Sequence, residues 1–209
     1  MRSSVLALAF MLLTASPAAA ADLTVSLKTP LGQPVRDAVI SFAPTAGAPS
    51  PRPNGRYEMV QQDIQFHPFV LIVPVGADVI FPNHDTVRHH VYSFSPVKRF
   101  ELKLYGREES RSEHFDKPGI VPLGCNIHDR MSAFIDVVDT AFAAKTDDSG
   151  QAVIKGLPPG GGVLTIWQPY LKAPGNTQRH ALSVPAGTDV RQAYSIDLRP
   201  APPAMAKPG

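Results

Sequence analysis

Cysteine is nearly absent from this chain of 209 residues, which carries Cys125 alone. A single cysteine cannot form an internal disulfide, so the chain is not a disulfide-stabilised scaffold. No C-x-x-C pair, phosphate-binding loop or serine or cysteine triad signature occurs, which excludes the enzyme classes that those motifs mark. The lone thiol leaves three interpretations: an inert buried side chain, an intermolecular bridge, or a metal ligand.

Net charge and long apolar segments are also scarce. The formal net charge is +2, which is too small for a nucleic-acid-binding surface, so no nucleic-acid partner is predicted. The one long apolar run lies near the N-terminus, between Arg2 and a cluster of alanines, and this pattern is typical of a secretory signal peptide. We therefore predict that residues 1–21 are removed, that the protein lies in the periplasm, and that no transmembrane segment remains after cleavage.

Long helical patterns are lacking, whereas glycine and proline are frequent, with 15 and 22 residues. Between them lie short runs rich in β-branched and aromatic residues, separated by turn residues. These runs are LTVSL, DAVISF, FVLIV, DVIF, HVYSF, SAFIDVV, QAVIKGL and VLTIW. Their length and spacing predict an all-β fold, built as a sandwich or barrel.

The segment GCNIHDRM places Cys125, His128 and Met131 within seven residues. Thiolate, thioether and imidazole favour copper, and two histidines, one cysteine and a weak axial methionine form the blue-copper electron-transfer site. The set lacks one histidine, for which the distant segment FPNHDTVRHHVYSF offers candidates. In the strand that precedes the segment, Val121, Leu123 and Cys125 face the same way, so the thiol should end an apolar row.

Residues 57–139 resemble the cupredoxins, and two stretches within them carry the resemblance. The first, VQQDIQFHPFVLIVPVGADVIFPNHDTVRHHVYSF, contains a V-x-V-G-x-x-V-x-F run, then an Asn and, six residues later, a His ahead of a strand. The second, ESRSEHFDKPGIVPLGCNIHDRMSAFIDVV, has a Gly six residues before the Cys and a C-x2-H-x2-M loop. That short loop is similar to the amicyanin loop, whereas plastocyanin and pseudoazurin have more residues between His and Met.

The resemblance implies a cupredoxin-like Greek-key β-sandwich or barrel that holds one type 1 copper per chain. Its ligands would be His89, Cys125 and His128, with Met131 as the weak axial ligand. The resemblance assigns no catalytic residue and no organic cofactor, so the protein is expected to be an electron carrier rather than an enzyme. No H-x-H pair occurs in the sequence, so the ligands of a trinuclear multicopper-oxidase cluster are lacking.

The sequence departs from the family pattern beside the first histidine. His90 stands where the family usually has an Asn whose side chain braces the ligand loop. Neighbouring residues of a strand point to opposite faces, so a regular strand would let only one of His89 and His90 reach the metal. The resemblance assigns His89. The other histidines are expected in structural or solvated positions: His67, His84, His114 and His180.

The flanking segments resemble the two halves of a carboxypeptidase regulatory-like β-sandwich. VSLKTPLGQPVRDAVISF matches its opening, and AAKTDDSGQAVIKGLPPGGGVLTIW matches its second half. We therefore expect strands from 23–43 to pair with strands from 140–198 in one small accessory sandwich. The predicted divisions are a signal peptide (1–21), first accessory strands (22–43), a Pro-rich linker (44–56), a copper domain (57–139), further accessory strands (140–200) and a disordered tail (201–209).

Three functions are compatible with these residues. The first is one-electron transfer between redox partners, which the resemblance to amicyanin suggests are a quinoprotein dehydrogenase of the methylamine-utilisation type and a c-type cytochrome. The second is copper storage or delivery through the same ligands, with ready metal exchange. The third is a cell-envelope binding module whose copper site is vestigial. Reversible redox cycling without copper loss separates the first from the second, and failure to bind copper indicates the third.

Overall fold

The computed structural model describes residues 19–201, and this part of the chain is built almost entirely of strands. In chain order they are β1 (Ala21–Lys28), β2 (Val39–Pro44), β3 (Tyr57–Glu58), β4 (Val60–Gln62), β5 (Gln65–His67), β6 (Val70–Pro74), β7 (Ala77–Pro82), β8 (His89–Phe94), β9 (Arg99–Tyr105), β10 (Ser110–Phe115), β11 (Gly119–Cys125), β12 (Ser132–Val138), β13 (Ala143–Lys145), β14 (Gln151–Leu157), β15 (Gly160–Trp167), β16 (Thr177–Val184) and β17 (Val190–Ser195). One 3₁₀ turn, Pro174–Asn176, precedes β16. The predicted all-β fold is confirmed.

Two sheets are assembled from strands at both ends of the chain. β1 pairs antiparallel with β14 and parallel with β17, and β2 lies between β13 and β15 in a four-stranded sheet that β16 completes. Alternate residues of β1 are fully buried, among them Leu23, Val25 and Leu27, and they face a core to which both sheets contribute. The expected pairing between the two flanking segments is therefore present.

The intervening strands form a second pair of sheets. One has the order β6–β12–β11–β8–β9, the other has the order β10–β7–β3, and the hairpin β4–β5 lies beside them. Side chains of alternate residues along the strands fill the space between these sheets. Val121, Leu123 and Cys125 of β11 are all buried there. The apolar row predicted to precede the thiol is therefore confirmed.

Aromatic side chains join the two sandwiches. Trp167 of β15 is buried with Val39 and Val70, and its ring meets that of Phe134 with centroids 5.6 Å apart. Phe69 meets the same phenylalanine ring edge-on at 5.6 Å. Trp167 and Ile166 are neighbours in β15, so their side chains lie on opposite faces of the strand. Ile166 faces the core of the accessory sandwich, whereas Trp167 faces the other sandwich.

Two predicted features lie largely outside the described residues. They are the predicted signal peptide, of which residues 1–18 are not described, and the predicted tail, of which residues 202–209 are not described. Between residues 19 and 201 no helix has the length and apolar character needed to cross a bilayer.

Asp136 lies on the outward face of β12, at a cavity between the two sandwiches that Trp167 and Arg179 also line. Burial, reinforced by the neighbouring Asp139 carboxylate, raises the pKa of Asp136 to about 7. A raised pKa means that the folded state favours the protonated acid, so this contribution to stability is complete below about pH 4 and is lost as the pH rises through about 7.

Asp136→Asn should therefore have little effect on stability at pH 3.5 and should stabilise the protein by about 1–3 kcal/mol at pH 8, because the amide is neutral at both values. Thermal melting of both proteins at the two pH values measures the difference. Asp116→Asn makes the same chemical change at an exposed position and is the matched control. An equal effect of Asp136→Asn at both pH values would contradict the prediction.

Candidate metal centre

Two neighbouring strands and the loop between β11 and β12 position the predicted ligands. His89 is the first residue of β8, and Cys125 is the last residue of β11. These strands are antiparallel neighbours, with Cys125 opposite Val91, so the histidine and the thiol are brought to the same end of the sheet. His128 lies in the following loop, and Met131 precedes β12 directly. All four residues therefore meet at one end of the sandwich.

Three of the predicted ligands form a compact triangle. The Cys125 Sγ lies 3.8 Å from His89 Nδ1 and 3.5 Å from His128 Nδ1. The three candidate ligand atoms all lie within 4.8 Å of one another. A metal bound trigonally at bond lengths of 2.0–2.3 Å would separate its nitrogen and sulfur ligands by about 3.8 Å. The donor set and its spacing therefore fit a copper ion at the centre of the triangle.

The site is closed on the inner side and open at His128. His89 is fully buried, the Cys125 side chain is 4% exposed, and His128 is half-buried. Burial lowers the pKa of His89, its bond to Asp85 opposes that shift, and the nearby His128 lowers the pKa further. A neutral imidazole is the form that binds a metal, so the environment favours ligation.

Met131 is held beside the triangle by the backbone of the ligand loop. Its N–H donates to the His128 carbonyl at 2.9 Å, and its carbonyl accepts from the Cys125 N–H at 3.2 Å. Its side chain is 1% exposed and belongs to the same core as Cys125. This position suits a weak axial ligand, and the ligand role of Met131 stays a prediction.

His90 is directed away from the triangle. The pairing of β8 with β9 shifts register between His89 and Val91, where two residues of β9 stand opposite His90. Its Nε2 lies 2.8 Å from the Glu101 carboxylate, and the buried Nδ1 has no hydrogen-bond partner. His89 alone of the two histidines joins the three-residue cluster.

The remaining histidines lie apart from the cluster. His67 contacts the Gln62 carbonyl, His114 pairs with Asp78 on the surface, and His180 packs on Tyr194.

A carboxylate that the sequence analysis did not identify contacts the first histidine. Asp85 Oδ2 lies 2.7 Å from His89 Nε2, on the side of the ring away from the sulfur. The Asp85 N–H donates to the side chain of Asn83 at 2.9 Å, and the Asn83 amide donates to the carbonyls of Val87 and Tyr105. The sequence signal that could have identified it is the Asn-His-Asp turn, which ends four residues before the ligand.

No protein-family model matches the sequence, and the comparison with curated proteins found no match. Solved structures that resemble the chain include a purple cupredoxin from Nitrosopumilus maritimus, which is 18% identical, with 41% of this chain and 100% of that chain covered and a TM-score of 0.37. A reduced amicyanin variant is 21% identical, with 47% of this chain and 99% of the amicyanin chain covered and a TM-score of 0.37. A copper-containing nitrite reductase from Thermus scotoductus SA-01 is 28% identical, with 56% of this chain but only 28% of that chain covered and a TM-score of 0.38.

Proposed function

We propose that this protein is an exported type 1 copper protein that carries single electrons between redox partners. The buried triangle of His89, Cys125 and His128 carries the proposal, because it combines one thiolate and two imidazole nitrogens at trigonal spacing. These three residues would be the equatorial ligands of one copper ion, and Met131 the axial ligand. A copper ion in such a site supplies reversible one-electron oxidation and reduction.

Rigidity of the ligands supports electron transfer over metal delivery. His89 and Cys125 lie on paired strands and are buried, and two backbone hydrogen bonds fix the loop that carries His128 and Met131. Cu(I) and Cu(II) prefer different geometries, so a site that cannot relax toward either one rearranges little when an electron moves. The chain's contribution is therefore to hold the ligands still and to exclude water from the sulfur.

Repeated redox cycling of the copper-loaded protein tests this proposal. An electron carrier should pass through many oxidation and reduction cycles in the presence of a Cu(I) chelator and keep its copper. A delivery protein would transfer its metal to the chelator in the reduced half of the cycle. A vestigial site would not bind copper stoichiometrically at the start.

We also propose the cellular setting and the domain division that the sequence suggested. The protein would act in the periplasm, with a quinoprotein dehydrogenase as donor and a c-type cytochrome as acceptor. The copper domain, residues 57–139, would be an insertion between the two parts of the accessory sandwich, residues 22–43 and 140–200. Pairing of β1 and β2 with the C-terminal strands supports this division.

The ring of His128 is the proposed exit for the electron, because it is the only half-buried member of the triangle. Ile127, Asp129 and Arg130, its neighbours in the chain, are exposed. Redox encounters use small interfaces, and charges at their rim mainly change the association rate.

Arg130→Glu should accelerate electron transfer to a positively charged c-type cytochrome several-fold at low salt, because it replaces a repulsive charge with an attractive one. Stopped-flow kinetics should show the difference shrinking toward zero at high salt, where charges are screened. The copper spectrum should be unchanged. Arg191→Glu makes the same charge change on the exposed surface of β17 and is the matched control. A bleached site with unaltered kinetics per bound copper would instead identify Arg130 as a loop brace.

A further inference from the structure

Asp85 belongs to the loop between β7 and β8 and uses both carboxylate oxygens inside the protein. Oδ2 contacts His89 Nε2 at 2.7 Å and accepts the backbone N–H of Ile64 at 3.0 Å. Oδ1 accepts the backbone N–H of Asp63 at 2.7 Å. The side chain is 12% exposed, so these contacts are largely shielded from solvent. Two backbone N–H groups and the His89 ring nitrogen therefore fix the orientation of this carboxylate.

The two backbone donors come from a turn with an unusual conformation. Asp63 and Ile64 connect β4 to β5, directly between the paired residues Gln62 and Gln65. Both have positive φ, 54° and 53°. Two-residue hairpin turns of this kind normally carry Asn-Gly or Asp-Gly, and a β-branched residue at positive φ is a conformational outlier. Such strain persists where the surrounding structure holds it, frequently at functional sites.

The charge of Asp85 is directed at the histidine. No lysine or arginine between residues 19 and 201 forms an ion pair with it, and His89 is its one ionisable partner in that part of the chain. An imidazole that donates its second N–H to a carboxylate is fixed in one tautomer and becomes a more basic metal ligand. Here that contact leaves the opposite nitrogen, Nδ1, facing Cys125 Sγ.

We propose that Asp85, clamped by the Asp63–Ile64 turn, is a positioning residue that orients His89 for the metal and lowers the reduction potential of the copper centre. The inference rests on the proposed function and extends it to the hairpin β4–β5, which contributes no ligand. A negative charge at this position stabilises Cu(II) more than Cu(I), because the more highly charged ion gains more from a more basic ligand. His128, the half-buried member of the triangle, remains free to serve as the electron exit.

Asp85→Asn tests the proposal, because it removes the charge and keeps the shape of the side chain. Zn²⁺ affinity, measured by competition with a chelator, should fall about 10- to 100-fold. The reduction potential of the copper-loaded variant should rise, because its affinity for Cu(II) should fall more than its affinity for Cu(I). Each factor of ten between the two losses raises the potential by about 59 mV. In the metal-free protein, nitrogen NMR should show the His89 Nε2 proton in the wild type and its loss or rapid exchange in the variant.

Asp78→Asn is the matched control, because Asp78 forms the same kind of contact with a histidine, His114, at 2.8 Å on the exposed surface. It should change neither Zn²⁺ affinity nor potential. Asp85→Glu, which keeps the charge, should recover most of the affinity and the low potential. If Asp85→Asn left both quantities at their wild-type values, or if Asp85→Glu lost as much as Asp85→Asn, the charge of Asp85 would have no positioning role.

The same measurements separate this inference from the proposed function. If the wild-type protein lacked a thiolate-to-copper absorption band, the blue-copper proposal would fail, yet a drop in Zn²⁺ affinity and the changed NMR signal would still support Asp85. If the band were present and Asp85→Asn had no effect, only the present inference would fail.

Discussion

Cys125→Ser should abolish the intense visible absorption of the copper-loaded protein. That absorption arises from charge transfer between a thiolate and Cu(II), and Cys125 is the one cysteine of the chain. Serine has nearly the same size, and the side chain lies at the end of β11 rather than in the middle of the core, so the fold should persist. Visible absorption and far-ultraviolet circular dichroism of both proteins measure the two outcomes.

Met131→Leu is the informative companion to that variant, because leucine preserves the volume of this buried side chain and removes its sulfur. A weak axial ligand contributes little to the charge-transfer band, so the colour should be kept with a shifted spectrum. A colourless wild-type protein that nevertheless binds one equivalent of copper would overturn the blue-copper assignment. Loss of colour in Met131→Leu alone would give the methionine a larger role than we propose.

Much of the fold followed from local patterns. Short apolar runs predicted β1 and β11, and the alternation of Val121, Leu123 and Cys125 predicted the buried face of β11, because a period of two directs one face of a strand to the core. The pairing of the flanking segments also followed, since each resembled one half of a sandwich. The positions of Cys125, His128 and Met131 depended on a loop of seven residues, so short-range spacing was sufficient to place them together.

The contacts that the sequence did not reveal are those made between distant segments. Asp85 reaches the Asp63–Ile64 turn across 21 and 22 residues, and no local pattern indicates which loop a carboxylate will meet. The outward position of Trp167 could not be predicted for a related reason: a strand pattern identifies two faces but does not tell which partner covers the second one. In both cases tertiary packing, rather than local propensity, determined the outcome.

The last prediction distinguishes two adjacent histidines. His89→Ala should eliminate the coloured site, because it removes the ring whose Nδ1 faces Cys125 Sγ. His90→Asn should retain the colour, because neighbouring residues of β8 point to opposite faces and the His90 ring contacts Glu101 instead.

His90→Asn should also change the free energy of unfolding by no more than about 1 kcal/mol, since it exchanges one partly exposed hydrogen bond and relieves an unpaired buried nitrogen. Copper titration followed at the charge-transfer band, with denaturant unfolding of the metal-free proteins, gives both quantities. The two variants alter neighbouring positions of one strand, so each serves as the control for the other. If His90→Asn lost the colour and His89→Ala kept it, the register of β8 against β9 would be wrong by one residue. His90 would then be the ligand, and the contact between His89 and Asp85 would not act on the metal.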